Sequence, residues 1–300
     1  MLRVLLIGAT GQLGRHALTE LSRQGEYRVR ALVRSRERLE EICRAQGLEV
    51  ESIEVFVGDA TRAETLGGVC EGIDVLISTL GAPLSVGRTK GRVSYTDVDL
   101  AGNRNLLAEA LRSGVKKFVY VSVFGAHLYP QLEYVKAHED FVRELRAASE
   151  IDHCIVRPTG FFYVFAEFLQ MARRGRVALI GAGDKKTNPI DERDLAAICV
   201  EAIKTARREI LVGGPEIYTR REIVELAFAA LGKQPKLVRV PPRVVRLMLG
   251  LVKLFDRRLH ALFSFLVAVS EVDAVAPARG THTLMSYFQE LANATKSAAR

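Results

Sequence analysis

The sequence predicts a doubly wound α/β fold, on three observations. Short runs rich in β-branched residues recur through the first half: RVLLI (3–7), YRVRALV (27–33), EVFVG (54–58), DVLIST (74–79) and KFVYVS (117–122). Amphipathic stretches at 12–24 and 35–46 separate the first three, and runs such as VLLI are almost continuously apolar, as strands covered by helices on both faces must be. The third observation is a glycine-rich turn, GATGQLG (8–14), that directly follows the first run and opens the first amphipathic stretch.

The rhythm loosens after about residue 155. HCIVR (153–157) and ILVGG (210–214) read as further strands, and 161–174, 191–204 and 219–231 as helices, the last with a capping box at Thr219 and Glu222. After Pro241-Pro242 the chain reads as helical and unusually apolar until a loop rich in Ala, Pro and Gly at 274–280. The expected division is a dinucleotide-type domain over 1–155 and a smaller, mostly helical substrate subdomain over 156–300, partly interwoven with the sheet.

Composition narrows the function classes. With 300 residues, 48% hydrophobic and 26% charged, the chain has material for one large core or two modest ones. Its late apolar run LHALFSFLVAV (259–269) is shorter than the roughly 20 residues a bilayer crossing needs. Met1 leads straight into the first strand and its glycines, without a signal region, so a cytoplasmic protein is expected. Cys43, Cys70, Cys154 and Cys199 are scattered without a C-x-x-C, which points to reduced thiols and away from a metal cluster. Residues 204–258 carry 13 Lys and Arg against 5 Asp and Glu, the whole formal excess of +8, so the basic character is local. That segment lacks interleaved aromatics and any nucleic-acid-binding motif, so no nucleic-acid partner is expected.

The glycines have separable roles when they join a strand to a helix. Gly8 permits a tight turn, Gly11 lets backbone approach a pyrophosphate, and Gly14 lets helix and strand pack closely, with the amides of Thr10, Gln12 and Leu13 around the helix start. This is the Rossmann signal. About 20 residues on, where an NAD site carries a carboxylate, stands Arg34. A guanidinium pairs with a 2′-phosphate and a carboxylate repels it, so NADP(H) is expected over NAD(H); the alternative is a solvated loop arginine among Arg36 and Arg38. Asp59, beside Ala60 after the third strand, is a candidate acceptor for the adenine amino group or else a helix cap. Thr79, Leu80 and Gly81 end the fourth strand, where carboxyl ends line the ligand crevice of open α/β sheets.

GATGQLGR, VGDAT, KKFVYVSVFGA and CIVRPTGFF together resemble the atypical short-chain dehydrogenase/reductases, the NAD(P)-binding group that includes NmrA-like proteins. Within that group IVRPTGFF (155–162), VGGPEIYTRREI (212–223) and GTHTLMSYF (280–288) are most similar to motifs of the divinyl chlorophyllide 8-vinyl reductases. The resemblance implies that Ser122 lies beside the nicotinamide and that the segment of Pro158, Thr159 and Phe161 closes over its carboxamide end. It also implies a catalytic tyrosine, Tyr134, on the helix after the fifth strand, with His138 where the wider superfamily has lysine.

Imidazole can hydrogen-bond a ribose hydroxyl, but with an ordinary pKa near 6.5 it supplies little positive field at pH 7. Tyr134 is then expected to keep a high pKa and serve as a general acid in a reduction more readily than as a base in an oxidation; the alternative is a tyrosine that merely packs against the sheet. The loop 81–95, with Arg88, Lys90 and Arg92, is a candidate clamp for an acidic substrate or an ordinary solvated loop. Residues 243–269 carry Arg243, Arg246, Lys253 and Arg257 as a stripe among apolar faces. Core burial is the default for this segment, with pocket lining or peripheral membrane contact as alternatives. The expected function is an NADPH-dependent reductase of a bulky, mostly apolar carbonyl or conjugated double bond, with Tyr134, His138 and Ser122 at the reacting end. The rivals are a non-catalytic NADP(H)-binding regulator or assembly factor and a nucleotide-sugar epimerase or dehydratase.

Overall fold

The computed structural model describes residues 1–82 and 94–298. The first half alternates strand and helix: β1 (Leu2–Ile7), α1 (Gln12–Gln24), β2 (Tyr27–Val33), α2 (Arg36–Gln46), β3 (Ile53–Val57) and β4 (Val75–Ser78). A π-helical segment, Thr96–Gly102, then runs into α3 (Asn103–Arg112), followed by β5 (Lys117–Val121), α4 (Glu133–Ala147) and β6 (Asp152–Pro158). Next come α5 (Phe162–Arg173), β7 (Val177–Ile180), β8 (Lys186–Thr187), α6 (Glu192–Glu201), β9 (Glu209–Val212), β10 (Tyr218–Thr219) and α7 (Arg220–Ala229). The chain finishes with β11 (Leu237–Val240), α8 (Pro242–Phe255), α9 (Arg257–Ser270) and α10 (Leu284–Ala298).

Seven strands form one sheet in the order β3-β2-β1-β4-β5-β6-β9, and every pairing in it is parallel. The continuous apolar runs follow from this arrangement. In β1, Val4 and Leu6 point into the layer shared with α1 and α6, whereas Leu5 and Ile7 point into the layer shared with α3 and α4. A strand buried on both faces has no side free for polar residues. The order reverses direction at β1 and β4, which opens a crevice beyond their carboxyl ends.

Residues after 158 build a second core from α5, α7 and α10, around Phe162, Phe228 and Phe288. They also return α6 and β9 to the sheet layers. Asn188 fastens these parts together. It is fully buried; its amide donates to the carbonyls of Gly214 and Ala276 at 3.1 and 2.9 Å, and its carbonyl accepts the Ala276 N–H at 3.0 Å. Gly213 and Gly214 must be glycine here, because a Cβ would stand 2.2 Å from the Asn188 side chain and 2.0 Å from the Pro189 carbonyl oxygen, respectively. At the other end Asp194 accepts the Thr281 and His282 N–H groups and lies 2.8 Å from His282 Nδ1. The motifs VGGP and GTH are therefore internal staples.

The segment after Pro241 departs from expectation in two ways. It is two helices, because Asp256 adopts an extended conformation and caps α9 by accepting the Leu259 N–H at 2.9 Å. Core burial holds only for α9, whose Ala261, Leu262 and Val267 are buried; along α8 only Leu249 is. No helix among the described residues is long and apolar enough to cross a membrane.

Asn188→Ala leaves two carbonyls and one N–H unpartnered in the interior, so a loss of about 3 kcal/mol or more is expected. The urea midpoint measures it. A change below about 1 kcal/mol would show that the staple is not holding the two cores together.

Candidate cofactor and active site

The phosphate end is built from the β1–α1 turn. Gly8 has φ +81°, and a Cβ there would lie 2.6 Å from Thr79 Oγ1. A Cβ on Gly14 would lie 1.9 Å from the Gly8 carbonyl oxygen, so α1 sits against β1 more closely than any side chain permits. The turn closes through Gly11 N–H to the Gly8 carbonyl at 2.8 Å, and Gly11 caps α1 without a side-chain acceptor. Leu13 turns its side chain into the core, leaving the first-turn amides of α1 and half-buried Thr10 toward the crevice side. Nearby Arg15 has a buried Nε with no protein partner. An uncapped helix start, a cradle that a Cβ would fill and an orphaned cationic donor together fit a dinucleotide pyrophosphate.

Around this turn the expected residues divide. Arg34 is exposed and forms no ion pair with a described residue, whereas Arg38 pairs with Glu41. Asp59 Oδ1 accepts both the N–H and the hydroxyl of Thr61, at 2.9 and 2.8 Å; the other oxygen remains available beside buried Ala60. Thr79 is fixed by donation of its hydroxyl to the Ile7 carbonyl, and Leu80 lies against Gly102, so the β4 end leads toward exposed Gly81. Pro158 is buried; Thr159 donates its hydroxyl to the Asn188 carbonyl at 2.6 Å, and Phe161 stacks at 5.4 Å on Tyr163. Residues 83–93, which carry Arg88, Lys90 and Arg92, lie outside the described residues.

The EYVKAHE turn of α4 faces inward. Tyr134 and His138 stack edge to face at 4.7 Å, and Tyr134 is also flanked by Tyr95 at 5.1 Å and by Phe265 of α9 at 4.8 Å. His138, expected at the ribose, is only 4% exposed, and both ring nitrogens meet protein. Nδ1 lies 2.6 Å from the Tyr120 hydroxyl, and Nε2 lies 3.1 Å from Asp99 Oδ1, off the N–H axis. Asp99 is fully buried in the π-helical segment; its Oδ2 accepts the Ala82 N–H at 3.2 Å, and its carbonyl accepts from Asn103. Burial, then the Asp99 charge, pushes the phenols of Tyr134 and Tyr120 well above their ordinary pKa of 10. Among the described residues the Tyr134 hydroxyl makes no hydrogen bond. Tyr134 is thus held as a neutral acid.

Ser122 is likewise engaged with protein. Its hydroxyl donates to Glu139 at 3.1 Å and accepts from Arg157 at 3.1 Å. Arg157, buried, also donates to the Val123 carbonyl and to Glu139 and Glu209, linking β5, β6, β9 and α4. Ser122 therefore shapes the floor through this cross-link.

Several site residues had no motif to announce them. Asp99 precedes Asn103 by one helical turn, a polar pair within an otherwise apolar face, which is the one signal available. Glu192 is buried at the start of α6, accepts the Tyr163 N–H at 3.0 Å, and has its pKa pushed up to about 7 by burial. Tyr163 is raised too, by burial and by Glu192. The thiols of Cys70, Cys154 and Cys199 are buried and pushed up to about 12, 11 and 12, which makes them unreactive.

A parallel sheet with this strand order and an uncapped glycine turn at its switch point define a dinucleotide-binding protein. The chain belongs to the NAD(P)H-binding family, whose profile matches residues 8–206. It is 28% identical over 272 residues to the chloroplastic divinyl chlorophyllide a 8-vinyl-reductase of Arabidopsis thaliana, a match covering 84% of this chain and 63% of that enzyme. It is 27% identical over 311 residues to the photosystem II assembly factor Ycf39 of Synechocystis, covering 96% of this chain and 90% of that protein. Among solved structures, an NADPH-dependent quinone oxidoreductase from Escherichia coli, complexed with NADPH, superposes with a TM-score of 0.72 at 21% identity, over 97% of this chain and 99% of that one. A nucleoside-diphosphate-sugar epimerase from Staphylococcus aureus gives the same TM-score at 19% identity, over 96% and 100%.

Two predictions follow from the site's geometry and charges. Gly14→Ala forces α1 away from β1 and should abolish NADPH binding in a fluorescence titration; unchanged affinity would contradict the close approach. Stability should respond to pH through two groups of opposite sign. Glu192 keeps a proton up to about 7 in the folded chain, whereas an ordinary carboxyl loses it near 4.5, so its contribution falls as pH rises between these values, by about 3 kcal/mol. His16, lowered to about 4 from 6.5 by burial and Arg15, runs the other way and costs stability as pH falls through that window. Glu192→Gln removes only the first contribution. The wild-type minus variant difference in urea stability should therefore decline from acid to neutral pH, and a flat difference would refute the assignment.

Proposed function

We propose that the chain is an NADPH-dependent reductase of a bulky, mostly apolar carbonyl compound or conjugated double bond. One observation carries the reading: Tyr134 is a phenol with no hydrogen-bond partner among the described residues, buried among Tyr95, His138 and Phe265 and kept neutral by that burial. A reduction needs a group that holds a proton until negative charge develops on the substrate, and such a phenol does so. A base for alcohol oxidation needs the opposite, a nearby cation that lowers the phenol's pKa; none of the causes of the Tyr134 shift is a cation. That weighs against the transient oxidation an epimerase or dehydratase requires.

When bound, NADPH supplies hydride. The residues that would hold it are the Gly8–Gly14 turn and Arg15 at the pyrophosphate, Arg34 at the 2′-phosphate, Asp59 at the adenine and the β4 end at the ribose. Asp99 and Tyr120 orient His138, and His138 in turn fixes the ring of Tyr134. Tyr95 and Phe265 exclude water around the phenol and favour an apolar substrate. The similarity to the divinyl chlorophyllide a 8-vinyl-reductase, by its name a reductase of a vinyl group, supports this class of substrate. The similarity to the assembly factor supports the rival reading, an NADP(H)-binding protein that does not turn over.

NADPH deuterated at the transferable position, incubated with the protein and a small-molecule extract of the host, separates the two. Label in a product, reduced about a hundredfold or more in Tyr134→Phe, is the expected result. Tight NADPH binding without any transfer from a broad extract would favour the assembly factor. Arg34→Ala is expected to weaken NADPH binding about ten- to a hundredfold while leaving NADH binding unchanged; equal losses for both would remove Arg34 from the 2′-phosphate.

A further inference from the structure

We infer that α8 is a membrane-interface helix, which seats the protein on an anionic lipid surface without crossing it. At about 100° per residue, Val244, Leu247, Met248, Leu251, Leu254 and Phe255 fall on one arc of the helix. That arc is bare: Leu247 is 78% exposed, Leu254 77% and Phe255 86%. The opposite side carries buried Leu249 and half-buried Val245 and Val252, and α8 lies along α9. A contiguous row of large apolar side chains in water is unfavourable unless something covers it.

The charges identify the cover. Arg243, Arg246 and Lys253 form a stripe along one border of the apolar arc, all exposed; Arg246 also pairs with Glu271 beyond α9, Arg243 and Lys253 pair with no described residue, and the helix itself carries no Asp or Glu. Exposed Arg239 and Arg257 bracket its two ends. The whole formal excess of +8 lies in the segment 204–258, which contains α8, and the rest of the chain is balanced, so an anionic surface is attracted to this helix and its exposed cations. An apolar arc beside a cationic stripe is the geometry of a helix lying in the headgroup plane, with leucine and phenylalanine below and long cationic side chains reaching back to phosphate. A second copy fits poorly, because its basic stripe would meet no acid on this helix. The 14 residues of α8 are too few to span a bilayer.

The inference does not depend on the reductase reading. It is tested by flotation of the full-length protein with vesicles of phosphatidylcholine alone, or of phosphatidylcholine mixed with phosphatidylglycerol. Binding to the anionic vesicles is expected, weakening with added salt. Leu247→Glu with Leu251→Glu should abolish it, and Arg243→Glu with Lys253→Glu should lower partitioning on the order of a hundredfold. All four positions are exposed on a helix that packs along α9, and none belongs to the glycine turn, so NADPH affinity should stay at the wild-type value in both variants and verify folding. No flotation with either vesicle, or flotation unchanged in both variants, would overturn the proposal. So would a concentration-dependent dimer in sedimentation that the leucine substitutions dissolve, since a second copy would then be what covers the face.

Discussion

The site depends on a buried carboxylate beside aromatic rings. Asp99 has no exposure to water; its Oδ2 accepts the Ala82 N–H, Asn103 ties its backbone, and its Oδ1 faces the imidazole of His138 at 3.1 Å without a hydrogen bond. Removing such a charge from water is tolerable only when fixed dipoles replace the solvent. The π-helical start of the α3 region allows this by turning Asp99 inward beneath the β4 end. From there its field reaches both Tyr120 and Tyr134 and adds to the burial that keeps their phenols protonated. His138 is thereby explained. Its ring lies between Asp99 and Tyr120 and serves as a wall for Tyr134.

The same economy runs through the scaffold. Glycine occurs where two backbones or a backbone and a staple approach too closely for a side chain, as at Gly14 against Gly8 and Gly213 against Asn188. The first pair leaves a helix start open to an anion, and the second locks the later core to the sheet. Arg157 completes the frame by pinning four elements from beneath, with Ser122 among its partners. Chemistry and support are thus carried by different residues, even where they lie within one motif.

The fold was legible because its periodicities were strong. The limits of α1 and the capping box of α7 agree with the sequence pattern, and the nearly unbroken apolar runs are the strands buried on both faces. The short pairs β7–β11 and β8–β10 escaped, since two to four residues carry no readable alternation. The glycine turn was legible for a local reason: its residues act where they stand in sequence. The protein partners of Ser122 and His138 were not legible, because Arg157 and Asp99 lie 35 and 39 residues away, and no spacing rule reports such a contact. The exposure of α8 was equally hidden, because an apolar helix reads alike whether its cover is protein or lipid.

The central claim is that Tyr134 is held neutral, and its phenol carbon reports this directly. Carbon-13 in the tyrosine ζ position, followed by NMR against pH and assigned by comparison with Tyr134→Phe, should show the Tyr134 resonance at its protonated shift through pH 10 and beyond, with or without NADPH. A titration midpoint at or below 10 would contradict the account. It would mean that a positive field, rather than burial and Asp99, governs the phenol, and that the site is built for oxidation.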